Sequence, residues 1–498
     1  MSLKRNVIAS YVSQIYVALA GILILPLYIK YMGAEAYGLV GFFAMLQAFF
    51  GLLDLGLTPT IGRETARYHG GTMSALQYRQ LYRALSVIFI VIALAGCAGL
   101  LLLSDLISSR WLKAESLSSA EVKLSVQVMG ISVALRWMAG LYRGVITGSE
   151  RLVWLSGFNS LVATLRFVAV LLSMWVFGFT PFVFFVHQLA VALMEILGLF
   201  LKSQHLLPTV KALDRSIGWS FKPVRSILKF ALTIAFTSSV WVLVTQVDKL
   251  VLSGILSLNE YGHFTLAVLV AGGIMIISGP ISSAIMPRMA RLHVEGKHEE
   301  LIHVYRNSTQ LISIIAGSAA ITLVCCADQL LYAWTGDPKL TAAAAPVLQL
   351  YAIGNGLMVV AAFPYYLQYA MGDLRYHLIG NAIMIVVLVP AMILTAKYYG
   401  GVGAGYVWVV MNGLYFSIWV AYVLHKLSPG LYVSWVFKDI VLIVFPAFAV
   451  GMVAMTLAPE LTARSVNIAY VLMVGFVTIL VSSICCVVVR KVNNAWGR

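Results

Sequence analysis

Three arginines stand inside long apolar runs: Arg136, Arg143 and Arg166. If those runs cross a bilayer, each charge at mid-depth costs roughly 2.5–3.5 kcal/mol on insertion scales, so each asks for a partner or a wet cavity. Arg136 and Arg143 are seven residues apart, two helical turns, and project from one face. Arg166 lies on the next run at a depth similar to that of Arg136. Three cations on adjacent helices repel, and an anion between them would resolve the repulsion. A diphosphate suits that task, because a guanidinium fork matches phosphate oxygens bidentately. The competing reading is internal ion pairing, since Asp54 and Glu195 fall at about the depth of Arg143.

The remaining titratable candidates are fewer. His187 and Glu195 are eight apart on one run, about the same helical face, and read either as a proton relay or as a polar pair joining two helices. Asp248 and Lys249 close another run and read as an ion-coupling site or a structural pair. There is no Ser-His-Asp constellation, no zinc-type spacing and no Gly-rich phosphate loop ahead of Lys-Ser/Thr. The expectation is therefore no enzyme, no cofactor, no metal and no ATP hydrolysis in this chain. Energy must then come from gradients, membrane potential or downstream consumption of a cargo. Cys97, Cys325, Cys326, Cys485 and Cys486 all lie in apolar runs and read as small buried apolar residues.

The elements that must position these groups are membrane helices. Hydrophobic residues make up 61% of the 498-residue chain and charged residues 11%. A soluble domain averages roughly 45–50% and about 25%. Backbone groups in lipid must be satisfied internally, and the long apolar runs select helices over a barrel. Reading runs between charged or turn-rich breaks predicts spans at 8–30, 37–60, 84–106, 122–147, 154–177, 181–202, 229–253, 262–286, 307–333, 346–370, 378–398, 404–425, 439–457 and 467–489. The breaks at Gly148–Leu152 and Gly178–Thr180 are short, so twelve or thirteen spans are the alternatives. The first run is longer than the 7–15 residues of a signal-peptide core and is read as an uncleaved span. With the N-terminus placed in the cytoplasm, inside segments hold 23 Lys and Arg and outside segments seven. That is the positive-inside pattern, and it puts both termini in the cytoplasm. It also explains most of the +15 net charge, so nucleic acid is not needed as a partner.

An internal repeat recurs at an offset of 224 residues. Tyr37-Gly38 matches Tyr261-Gly262, and Ala66, Arg67 and His69 match Ala290, Arg291 and His293. Gly130, Tyr142, Gly148 and Arg151 match Gly354, Tyr366, Gly372 and Arg375. The matches fall at equivalent element boundaries. Six spans lie between equivalents, an even number, so the two halves share one orientation, as in parallel transporter repeats. The expected organisation is a first lobe at 1–203, a cytoplasmic linker at 204–228, a second lobe at 229–427, and two further helices with a tail at 428–498.

The sequence here resembles the polysaccharide transporters, or O-antigen-type flippases, of the multidrug/oligosaccharidyl-lipid/polysaccharide exporter superfamily. The carrying residues are Gly33-Ala34-Glu35-Ala36-Tyr37-Gly38, Leu53-Asp54-Leu55-Gly56-Leu57 and Arg63-Glu64-Thr65-Ala66-Arg67. Asp248-Lys249, Glu260-Tyr261-Gly262 and Pro287-Arg288-Met289-Ala290-Arg291-Leu292 carry it in the second half. The resemblance implies an all-α polytopic fold of about fourteen helices. It comprises two six-helix lobes related by a parallel pseudo-two-fold, plus two C-terminal helices. It implies alternating access around a central cavity in a bacterial inner membrane. The implied cargo is an undecaprenyl-diphosphate-linked oligosaccharide moved from inner to outer leaflet. The implied partners are membrane lipids and polysaccharide polymerase or assembly proteins.

Competing functions remain a drug/cation antiporter of the same superfamily, a flippase for the peptidoglycan precursor, a membrane-embedded glycosyl ligase or polymerase, and an assembly scaffold. An antiporter needs acids to attract cations, whereas the mid-depth charges here are mostly basic. A ligase or polymerase would show a large outside loop, and the longest here is about 15 residues.

Overall fold

Apolar runs of this length leave helix as the only way to satisfy the backbone in lipid, and the computed structural model is helical almost throughout. It describes residues 3–209, 217–220 and 222–496. Part of the expected linker at 204–228, residues 210–216 and 221, therefore lies outside the described residues. Among the described residues, 13 helices are long and apolar enough to cross a membrane. The longest, Arg375–Leu427, runs 53 residues and is broken at Gly400 (φ 56, ψ −139), a backbone conformation that suits glycine. Split there it supplies two spans, which brings the number to fourteen.

The chain forms two compact units, Met1–Gly262 and His263–Arg498. The first contains α1 (Ile8–Met32), α2 (Ala34–Asp54), α3 (Ala75–Trp111), α4 (Ser119–Gly148), α5 (Leu152–Phe177), α6 (Pro181–Leu206) and α7 (Ile234–Ile255). α8 (Leu258–Gly279) begins in the first unit and runs into the second. The second continues with α9 (His298–Cys325), α10 (Pro338–Met371), α11 and α12 (375–399 and 401–427), α13 (Leu431–Thr456) and α14 (Arg464–Lys491). Within the first compact unit, α7 packs on α2 and α3.

The two short breaks are genuine turns. Glu150 takes φ 57 between α4 and α5. Between α5 and α6, Gly178 takes φ 106, and the Thr180 hydroxyl accepts the Val183 N–H at 3.3 Å as the α6 cap, with Pro181 in the first turn. α4 opens on a capping box, with Ser118 and Glu121 satisfying each other's backbone N–H groups. It is the central helix of its unit, burying Val122, Val126, Met129 and Val133 completely or nearly so, against α3 and α6. The loop before it is pinned to the start of α2. The Glu35 carboxylate accepts the N–H groups of Glu115 (2.6 Å), Ser116 (2.9 Å) and Leu117 (3.3 Å), and the Ser116 hydroxyl.

In the second unit, α9, α10 and α13 share a core that includes Tyr305, Phe363, Leu367 and Trp435. A buried polar node fastens the two C-terminal helices to α9. Asp439, fully buried, accepts from Arg306 Nε at 2.6 Å and from Gln310 Nε2 at 2.7 Å. Arg490 of α14 donates to Gln310 Oε1 at 2.7 Å. Hydropathy alone began spans at 307 and 439 and left Arg306 in a loop. The helices start earlier, at His298 and Leu431, because the two charges neutralise each other inside the fold.

Candidate functional site

α4 carries Arg136 and Arg143 on one face, and α6 meets them at the same spacing. Arg136 donates to Gln188 Oε1 at 2.7 Å, and Arg143 forms an ion pair with Glu195. Each pair is 52 residues apart in sequence, so the two helices run parallel and touch through two polar rungs, two turns apart.

Arg166 comes from the next helix, where α5 opens into a π-helical stretch over Thr164–Ala169. Such stretches recur at functional sites because the wider turn redirects a side chain. Gln188 Nε2 donates to the freed carbonyl of Arg166 at 2.8 Å, and His187 reaches the carbonyl of Leu165 at 2.9 Å. The side chain of Arg166 then meets the one that holds Arg136. Gln47 Oε1 accepts from Arg136 Nη1 at 3.0 Å and from Arg166 Nη2 at 3.4 Å. The Arg136 guanidinium also lies 5.1 Å from the centre of the Phe43 ring, and that of Arg166 lies 5.5 Å from the Phe167 ring.

The two arginines thus share one neutral amide oxygen. Among the described residues neither forms an ion pair, and the Nε of each is buried without a hydrogen-bond partner. Amide oxygens satisfy donors but supply no counter-charge. The pair remains a concentration of positive charge in a low-dielectric setting, with unused N–H groups.

Arg143 is different. Its Nη1 donates to Asn159 Oδ1 at 2.7 Å while Nη2 pairs with Glu195, whose side chain is 4% exposed. Internal ion pairing thus describes Arg143 through Glu195, but not through Asp54. Asp54 turns instead to the short helix Leu57–His69 that follows α2, accepting the Thr58 N–H at 3.2 Å and the Thr58 hydroxyl in its first turn. His187 and Glu195 share α6 but have separate partners: His187 Nδ1 meets Ser173 Oγ at 2.8 Å. Asp248 and Lys249 lie in α7, where Asp248 is buried, accepts the Lys249 N–H at 2.8 Å and stands 3.4 Å from Lys249 Nζ.

Sequence reasoning missed Gln47, Gln188 and Asn159, whose types carry no charge signal. The missed signal for Gln188 was its seven-residue step to Glu195, the same step as Arg136 to Arg143. The repeat adds one contrast. At the 224-residue offset, Arg136, Arg143 and Arg166 correspond to Val360, Leu367 and Pro390, so the cationic cluster belongs to the first copy alone. Chemically the arrangement can hold an oxyanion.

The chain matches the profile of the family described as polysaccharide biosynthesis protein over residues 3–293. It is 21% identical over 338 residues to the uncharacterized membrane protein EpsK of Bacillus subtilis strain 168. That match takes in 68% of this chain and 65% of EpsK, just under two thirds of its length. Among solved structures it resembles the lipid II flippase MurJ in an inward closed conformation, with TM-score 0.70, 13% identity, and 96% and 97% of the two chains covered. It also resembles an inward-facing multidrug resistance MATE family transporter of the MOP superfamily, with TM-score 0.66, 15% identity, and 83% and 96% covered. At these identities the likeness is one of fold.

Proposed function

The chain belongs to the polysaccharide biosynthesis protein family, and from that premise we propose that it is a membrane transporter of the MOP superfamily that flips an undecaprenyl-diphosphate-linked oligosaccharide from the inner to the outer leaflet. The observation that carries this reading is the Arg136–Arg166 pair, held by Gln47 and, among the described residues, without a direct ion pair. A diphosphate supplies the missing negative charge and the oxygens for the unused N–H groups. Arg143, already neutralised by Glu195, has the lesser share. Asp54, His187, Glu195, Asp248 and Lys249 act as structural polar groups in this reading. The protein sits in the bacterial inner membrane with both termini cytoplasmic. Its working parts are a lobe at 1–203, a linker at 204–228, a lobe at 229–427 and a C-terminal pair at 428–498.

A second reading has a specific support. The fold likeness to the lipid II flippase covers 96% of this chain, against 83% for the drug transporter. A peptidoglycan precursor also presents a diphosphate, and the same arginines would receive it. Export of a cationic drug fits poorly with an uncompensated cationic pair.

The deciding experiment uses vesicles that contain the protein and one labelled lipid at a time. The expected result is protein-dependent appearance of the oligosaccharide lipid on the opposite face, faster than that of lipid II. Exclusive movement of lipid II would replace the reading by the second. Transport of a cationic dye, with both lipids static, would overturn both.

A further inference from the structure

α1 and α5 lie side by side, and a groove runs along each side of their contact. The contact itself is a seam of small polar residues. Ser13 Oγ donates to the Ser156 carbonyl at 2.8 Å, and Ser160 Oγ lies 3.0 Å from Ser13 Oγ. Both grooves include Ser13 and Ser156, one from either side.

The two sides differ in chemistry. The larger groove, about 540 Å³, is lined by Ile8, Val12, Val153, Gly157 and Ser160, with Arg5 at its N-terminal end. The Ser13 and Ser160 hydroxyls are already engaged in the seam, so its surface offers a guest mostly carbon. Ile8 and Val12 are 52% and 62% exposed. The smaller groove, about 220 Å³, includes Ser10, Gln14 and Asn159, and Asn159 is the residue that holds Arg143. Apolar side chains face lipid and polar ones face water or protein in a membrane helix pair. The seam therefore divides a lipid-facing side from the side on which the arginines stand.

We infer that the larger groove between α1 and α5 is the docking site for the polyprenyl chain of the carrier lipid, with Arg5 at its rim taking the diphosphate. The inference rests on the function proposed above. Three observations choose this occupant. The lining is carbon, which a saturated or prenyl chain fills and a sugar does not. The Arg5 cation stands at one end, complementary to a lipid whose charge is at one end. The polar groove across the seam includes Asn159, which holds Arg143, so a headgroup passing the seam approaches a guanidinium while its chain stays outside. The chain need never leave the hydrocarbon, and only the polar end crosses.

Gly157 provides the test, because a Cβ built there has no neighbour within 4 Å. A side chain at this position occupies the groove and leaves the helix contact alone. Gly157→Leu should reduce transfer of the oligosaccharide lipid at least fivefold at an unchanged thermal midpoint, and Gly157→Ala should have under a twofold effect. Val12→Trp, which crowds the groove from the exposed face of α1, should act like Gly157→Leu. Undecaprenyl diphosphate bearing a diazirine on its chain, in phosphatidylethanolamine vesicles, should cross-link to Ile8, Val12 or Val153. Arg5→Gln should lower that yield at least threefold.

Wild-type transfer by both Gly157→Leu and Val12→Trp overturns the groove assignment. So does equal cross-linking by a diazirine phosphatidylglycerol, which marks a general phospholipid site. If the groove variants are silent while Arg136→Ala abolishes transfer, the groove fails and the proposed function stands. If no variant and no wild-type protein moves the lipid, it is the proposed function that fails.

Discussion

Gly38 and Gly262 meet as a reciprocal pair. A Cβ on Gly38 would strike the carbonyl oxygen of Leu258, and a Cβ on Gly262 would strike that of Ala34. Residues 34 and 258 stand at the same 224-residue offset as 38 and 262, so each repeat presents to the other the contact it receives. Adding a methyl group at either glycine must push backbone apart, and overpacking costs typically about 1–3 kcal/mol. Gly38→Ala and Gly262→Ala should each lower the thermal midpoint in detergent, whereas Gly99→Ala, which opens on empty space, should not. Equal midpoints for all three would remove the close approach.

The arginine pair makes a graded prediction. Charge-assisted hydrogen bonds contribute about 1.5–3 kcal/mol, and about 1.4 kcal/mol is a factor of ten. Arg136→Ala and Arg166→Ala should each reduce lipid-linked oligosaccharide transfer at least tenfold while membrane insertion stays near normal. Lysine at either position should restore part of it, since it keeps the charge and loses the fork. Asp248→Ala should cost less than Arg136→Ala, because Asp248 lies against Lys249 of its own helix. A double alanine variant that still builds surface polysaccharide at the wild-type rate would sink the assignment.

The node at Asp439 predicts a stability effect with little change in cargo preference. Removing one partner of a buried pair is destabilising by about 3–5 kcal/mol, because the other charge is left uncompensated. Arg306→Ala should therefore expose the segment joining α12 to α13 (around Gly430) to protease, while the double change Arg306→Met with Asp439→Leu should be milder. The readout is the ratio of clipped to intact chain, compared among the three proteins at matched amounts.

Topology can be tested with reporter fusions. Fusions at Ser116, Ser257 and Thr341 should report the outside, and one at Gly218 the inside. A fusion at Gly218 reporting outside contradicts the orientation.

The helices were legible because an apolar run of about 20 residues has one stable form in lipid. The arginines were legible because charge in such a run is rare. What held them was not. Gln47 and Gln188 are neutral, and polar amides occur on any helix face without comment. Asp54 falls at about the depth of Arg143, which leaves an ion pair between them open in the sequence. The Thr58 hydroxyl, one turn on, is the partner it takes instead. Asp439 was read as the start of a span, because a charge interrupts an apolar run when seen alone. Its partner Arg306 lies 133 residues away, a separation no local pattern reveals.

The two rungs between α4 and α6 also have an order in time. The ribosome makes Arg136 and Arg143 a full 52 residues before Gln188 and Glu195. In that interval α4 has Gln47 of α2 and Asn159 of α5 to receive its two cations, but no carboxylate from α6. Such a segment partitions poorly into lipid unaided, since each central arginine weighs against insertion by about 2.5–3.5 kcal/mol. The sequence order predicts that α4 is fully settled only once α6 has emerged, since Glu195 is the counter-charge of Arg143. A chain stopped after α5 should therefore hold α4 less firmly in the bilayer than one that runs on through Gln188 and Glu195 of α6.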